Sequence, residues 1–112
     1  MKNSIVSNAE LRRISALAVR LLKEKQVTVS TAESCTGGLV AKSITDVAGS
    51  SAVIAGGMVT YTNRIKTDVL GVDASIIEEH TEVSHACAEA MAERARDVFG
   101  TDYALSATGY AG

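Results

Sequence analysis

Apolar and polar positions alternate along the chain in two periods, and the switches between them divide it into helices and strands. Leu11, Ile14, Leu17, Ala18, Leu21 and Leu22 share one face of a helical repeat, with Arg12, Arg13, Arg20 and Lys23 mostly elsewhere; this predicts an amphipathic helix covering one face of a sheet. Ser7 followed by Glu10 has the spacing of a capping box, and Lys23 and Lys25 complement the other end of the dipole. Val27 to Thr31 is β-branched and alternating, and a turn through Ala32-Glu33-Ser34-Cys35-Thr36-Gly37-Gly38 leads to a second helical pattern at Leu39, Val40 and Ile44. After a turn over 46–51, Ala52 to Thr62 reads as a long strand whose Gly56-Gly57 pair marks a bulge.

The second half is more helical. Asn63 is placed to cap a short helix carrying Ile65, Val69 and Leu70 and closed by Gly71, and Asp73 to cap another through Ile76 and Ile77. Ser84 opens a longer helix with Cys87, Met91, Ala95 and Val98 facing inward, Gly100 stops it, and Asp102 to Ala107 is extended again. Interleaved helices and strands predict one α/β domain built on a central sheet. The short connection before Ala52–Thr62 suggests that this strand runs antiparallel.

Composition narrows the chemistry. With 112 residues and 46% hydrophobic content the chain suffices for one ordinary core. Eleven basic residues against 13 acidic ones, with three Tyr, one Phe and no Trp, offer neither a cationic surface nor an aromatic platform for nucleic acid. Cys35 and Cys87 stand far apart with no C-x-x-C pair, so neither a disulfide framework nor a zinc site is expected, and a reducing cytoplasm fits best. The polar start, Met1 to Asn8, lacks the pattern of a signal peptide, and the uncharged stretch from Val47 to Asn63 carries three Gly and reads as a buried strand, not a membrane span. Proline is absent, and the chain stops at Gly109-Tyr110-Ala111-Gly112, just after a predicted strand, so it is expected to be truncated at its C-terminus.

Two constellations carry candidate chemistry. Ser34-Cys35-Thr36-Gly37-Gly38 lies at a strand-to-helix junction, where free N–H groups stabilise an anion; by spacing alone, a tight turn with capping hydroxyls explains it as well. Tyr61 and Lys66 flank a strand end and a helix start, so both can converge near the end of the sheet. A lysine serves as base for a serine only when neutral, and bringing its reference pKa of about 10.4 near 7 requires roughly 4 to 5 kcal/mol of burial or positive charge. A solvated lysine beside a core tyrosine is the plainer account. Cys35 shares the junction, and with His85 as base it forms an alternative nucleophile; His80 follows Glu78-Glu79 and reads as surface chemistry.

Thr31-Ala32-Glu33-Ser34-Cys35-Thr36-Gly37-Gly38 resembles the signature of the CinA C-terminal family. Ile44 to Ser51, Val59 to Asn63 with Lys66, Leu70-Gly71-Val72 and Gly109 to Gly112 resemble its further blocks, in order and at its spacing. The resemblance implies a three-layer α/β/α domain with a mixed central sheet. It also implies nicotinamide-nucleotide amidase activity on a small-molecule nucleotide, with no metal or cofactor; with the composition, neither a nucleic-acid nor a membrane partner is expected, and a homo-oligomer is compatible with both. It assigns the nucleophile to Ser34, supported by Lys66 and Tyr61. The mechanism expected on this basis holds the oxyanion near Thr36, Gly37 and Gly38 and the substrate phosphate at Thr108 and Gly109. The family continues with a proline, a Gly-rich loop and further strands, so residues 1–112 are expected to form one domain lacking those parts. A non-catalytic nucleotide-binding module and a structural partner domain are the competing readings.

Overall fold

The computed structural model describes residues 7–110. The chain begins with α1 (Asn8–Lys25), β1 (Val29–Glu33) and α2 (Leu39–Thr45), and a single 3₁₀ turn at Ser50–Ala52 then leads into β2 (Ile54–Val59). A short α3 (Asn63–Ile65) runs into one π-helical turn (Lys66–Leu70), followed by α4 (Ala74–His80), α5 (His85–Phe99) and β3 (Tyr103–Ala107). The strands form one sheet in the order β2-β1-β3, and both pairings are parallel. The mixed sheet and the antiparallel placement of Ala52–Thr62 are therefore corrected among the described residues. The relevant connection runs from the end of β1 through α2 and the 3₁₀ turn, long enough to cross over a sheet face and bring β2 alongside β1 in the same direction.

Helices cover both faces, giving three α/β/α layers. On one face Ala32, Leu70, Val72, Cys87, Met91 and Ala95 form a closed cluster, with Met58, Phe99 and Ala104 packed against it. On the other face Val19, Ile44 and Val53 make a smaller cluster between α1, α2 and the sheet, with Leu22, Val40 and Ile54 around it. Every residue of the central strand β1 is buried, including Ser30, Thr31 and Glu33. Ser30 exchanges a hydrogen bond with Thr101 at 2.8 Å, whereas the Thr31 hydroxyl has no partner among the described residues.

Most caps lie where the sequence puts them. Ser7 accepts from the Glu10 N–H, Asp73 from Ser75 and Ser84 from Cys87. Glu10 itself turns to Arg13 at 2.7 Å, so only the serine half of the capping box forms. Thr62, one residue before the expected Asn63, caps α3 through the Ile65 N–H.

Two face assignments shift. The buried seam of α1 contains Ser15 and Val19, with the Ser15 hydroxyl donating to Leu11 O at 2.7 Å; Ile14, Leu17 and Leu21 are exposed. The apolar arc of α1 is wider than its contact with the sheet, and the repeat alone does not say which part is covered. Val98, expected inward, is likewise exposed on α5. The register slip between β1 and β2 skips Ala55, next to the glycine pair. The glycines themselves answer to close approach: a Cβ on Gly57 would collide with the Thr31 hydroxyl, and one on Gly56 would lie 3.1 Å from the Phe99 ring.

Candidate active site

Parallel strands end on the same side of a sheet, and the loops following all three meet there. Ser34 follows the central β1, Tyr61 follows β2, and Thr108 and Gly109 follow β3. These residues, with Lys66, line a cleft of about 470 Å³. A second cleft of about 460 Å³ lies between α1 and α2, but it contains none of the candidate catalytic groups. The ends of the strands are where the chemistry gathers.

Ser34 is held from both sides. Its N–H donates to Ala107 O at 2.8 Å, extending the β1–β3 ladder, and its carbonyl accepts from the Gly37 N–H at 3.0 Å. Lys66 is 1% exposed, and its Nζ donates to Ser34 Oγ at 3.3 Å. Among the described residues it has no carboxylate within ion-pair distance. The π-helical turn that begins at Lys66 explains its firm placement: its carbonyl accepts from both Gly71 N–H (3.1 Å) and Val72 N–H (2.9 Å), and Leu70 at the end of the turn is fully buried.

The turn after Ser34 folds back on a buried carboxylate. Glu33, 2% exposed, accepts from Thr36 Oγ1 at 2.8 Å and from the N–H groups of Val40 and Ala41 at 2.7 and 2.9 Å. It thus takes up the free donors at the start of α2, satisfying in one side chain what a helix terminus leaves open. Thr36, Gly37 and Gly38 consequently lie outside the residues that line the cleft, and the positive end of α2 is already occupied. The N–H groups of Cys35 and Thr36 are left without a partner among the described residues. Sequence reasoning missed Glu33 because a carboxylate in a strand next to a nucleophile gives no periodic signal.

The other candidates fall into place by position. Tyr61 lines the cleft and is 63% exposed, so it is a rim residue and not part of the core. Thr108 lines the cleft too, but its hydroxyl donates to Glu82 O at 2.6 Å. Cys35 is half-buried beside Ser34, and a Cβ on Gly109 would lie 3.4 Å from its Sγ, so the turns after β1 and β3 touch. His85 is exposed at the start of α5 and does not line the cleft, so the Cys35–His85 pairing has no geometry behind it. His80 is exposed, 3.8 Å from Glu79. Cys87 is fully buried under the site, and burial pushes its thiol pKa up, opposed by Lys66 and reinforced by Glu82. Among the described residues no cluster of His, Cys, Asp or Glu is suited to a metal ion.

The model of the CinA C-terminal domain matches residues 11–112. The chain belongs to the CinA C-terminal domain family. It is 53% identical over 93 residues to a CinA-like protein of Leptospira borgpetersenii serovar Hardjo-bovis (strain L550), an alignment covering 83% of this chain and 22% of that protein. To a CinA-like protein of Geobacter sulfurreducens it is 52% identical over 99 residues, covering 88% and 24%. The chain therefore spans about a quarter of the length of these curated relatives. Among solved structures, competence damage-inducible protein A of Klebsiella pneumoniae superposes with a TM-score of 0.89 at 34% identity, over 91% of this chain and 63% of that one. A competence/damage inducible protein of Agrobacterium tumefaciens gives a TM-score of 0.85 at 38% identity, covering 98% and 66%. Those identities and scores carry the CinA fold across the described residues. The CinA cleft also contains Asn63 and Tyr110, which fall within the family-like blocks but had no site role assigned, and Glu82 and Val83, which no motif had marked; their convergence depends on the order of the strands.

Proposed function

We propose that this cleft hydrolyses the carboxamide of nicotinamide mononucleotide, yielding nicotinate mononucleotide and ammonia, with Ser34 as nucleophile. The observation that supports it is the 3.3 Å contact between Lys66 Nζ and Ser34 Oγ, both buried, at the wall of an open cleft. A serine needs a base within hydrogen-bond reach, and such contacts tighten when substrate binds. Lys66 Nζ takes the Ser34 proton as Oγ bonds to the carboxamide carbon. The Cys35 N–H, which has no partner among the described residues and belongs to a residue lining the cleft, receives the oxyanion in place of the Thr36–Gly38 donors, which lie off the cleft. Lys66 returns the proton to the leaving nitrogen, which departs as ammonia. Water, deprotonated by Lys66, then attacks the ester carbon, and Lys66 passes that proton to Oγ as the C–O bond breaks, releasing nicotinate mononucleotide and restoring Ser34.

Tyr61 at the rim orients the carboxamide-bearing ring, and the backbone N–H groups of Thr108 and Gly109 receive the phosphate, the Thr108 hydroxyl being turned toward Glu82 O. Ammonia release from nicotinamide mononucleotide tests the reading. Ser34→Ala is expected to reduce it at least about 1,000-fold while nucleotide binding persists. Ammonia release at wild-type rate from Ser34→Ala would overturn it.

A further inference from the structure

Among the described residues, Lys66 is the only cationic side chain lining the cleft and Glu82 the only carboxylate. Nothing in the proposed proton transfers uses Glu82. The backbone around it is unusual: Thr81, immediately before it, has φ 69° and ψ 168°, a conformation that a β-branched residue rarely adopts. The strain is held by local hydrogen bonds, Ser84 Oγ donating to Thr81 O at 2.9 Å and Val83 N–H to Thr81 Oγ1 at 3.3 Å. Thr108 Oγ1 donates to Glu82 O at 2.6 Å, tying the segment to the end of β3. A strained, doubly tied segment that lines a cleft is a feature of functional sites. Glu82 and Lys66 thus line one cleft with the nucleophile Ser34 and the rim residue Tyr61.

We infer that Glu82 selects the cleft's ligand by ring charge, favouring a cationic pyridinium carboxamide and disfavouring the carboxylate that replaces the amide. The inference rests on the amidase reading and extends it to specificity. A pyridinium ring beside a lone carboxylate is attracted through a partly desolvated medium. A product carrying its own carboxylate at the same end is repelled, which assists its release.

The experiment compares wild type with Glu82→Gln using nicotinamide mononucleotide and its 1,4-dihydro form, which keeps the carboxamide, ribose and phosphate but has a neutral ring. Calorimetric titration is expected to show the wild type binding the cationic form about tenfold more tightly, and Glu82→Gln losing most of that preference by weakening the cationic ligand alone. In turnover the loss is expected in KM, with product inhibition by nicotinate mononucleotide becoming stronger. Equal preference in both proteins, no preference in the wild type, or an effect confined to kcat would overturn the inference. Thermal unfolding of the two proteins at the same temperature verifies that the variant is folded. Failure of ammonia release alone would strike the amidase reading and leave the ring-charge comparison readable by titration.

Discussion

The two faces of the sheet are packed to different standards. Under α5 and the π-helical turn, Leu70, Cys87, Met91 and Ala95 are wholly enclosed, and Lys66 is seated on that same packed half. Over the opposite face, Ile14, Leu17 and Leu21 of α1 remain exposed, as do Tyr103 and Leu105 of β3, and the Thr31 hydroxyl is buried with no partner among the described residues. The base of the proposed reaction is thus held by the closely packed face. The loose face contributes one firmly built element, the Glu33 cap on α2, and that element fixes the turn carrying Ser34. Precision is concentrated where the side chains meet the cleft.

The contrast can be broken by mutation. Met91→Ala removes a fully buried side chain from the tight cluster and is expected to destabilise the fold by about 2 to 5 kcal/mol, read from the urea midpoint. A loss below about 1 kcal/mol would mean that this face is not close-packed. Thr31→Val replaces the unpartnered hydroxyl with a methyl of similar shape and is expected to stabilise by about 1 kcal/mol in the same assay; destabilisation would indicate that the hydroxyl has a partner after all. Leu21→Gln on the exposed arc of α1 is expected to change stability by no more than about 0.5 kcal/mol. A large loss there would show that the face is covered in solution.

The same contrast explains what was legible in the sequence. The helices and strands, their caps at Ser7, Asp73 and Ser84, and the inward Cys87-Met91-Ala95 stripe follow from local chemistry, because each is decided within a few residues. The sheet direction was not legible for β2, since the chain crosses over through a helix and a tight turn that together resemble a short connection. The stripe on α1 was misplaced because six apolar residues span more of the helix than the sheet covers, while Ser15 enters the seam by bonding back to Leu11 O. Of the site, Ser34, Tyr61, Lys66, Thr108 and Gly109 do converge on one cleft, whereas Thr36 to Gly38 turn away. Glu33 decides that, and nothing periodic marks a side chain that bonds to N–H groups seven and eight residues on. Glu82 reaches the cleft only because α4, α5 and β3 meet there.

The most direct test of the account is ammonia release from nicotinamide mononucleotide by the chain and by Ser34→Ala, with nucleotide binding and folding measured in parallel. The account predicts turnover in the first and a loss of at least about 1,000-fold in the second, with binding retained. Folded protein that binds the nucleotide and releases no ammonia, or a Ser34→Ala variant that releases it at the same rate, would contradict it.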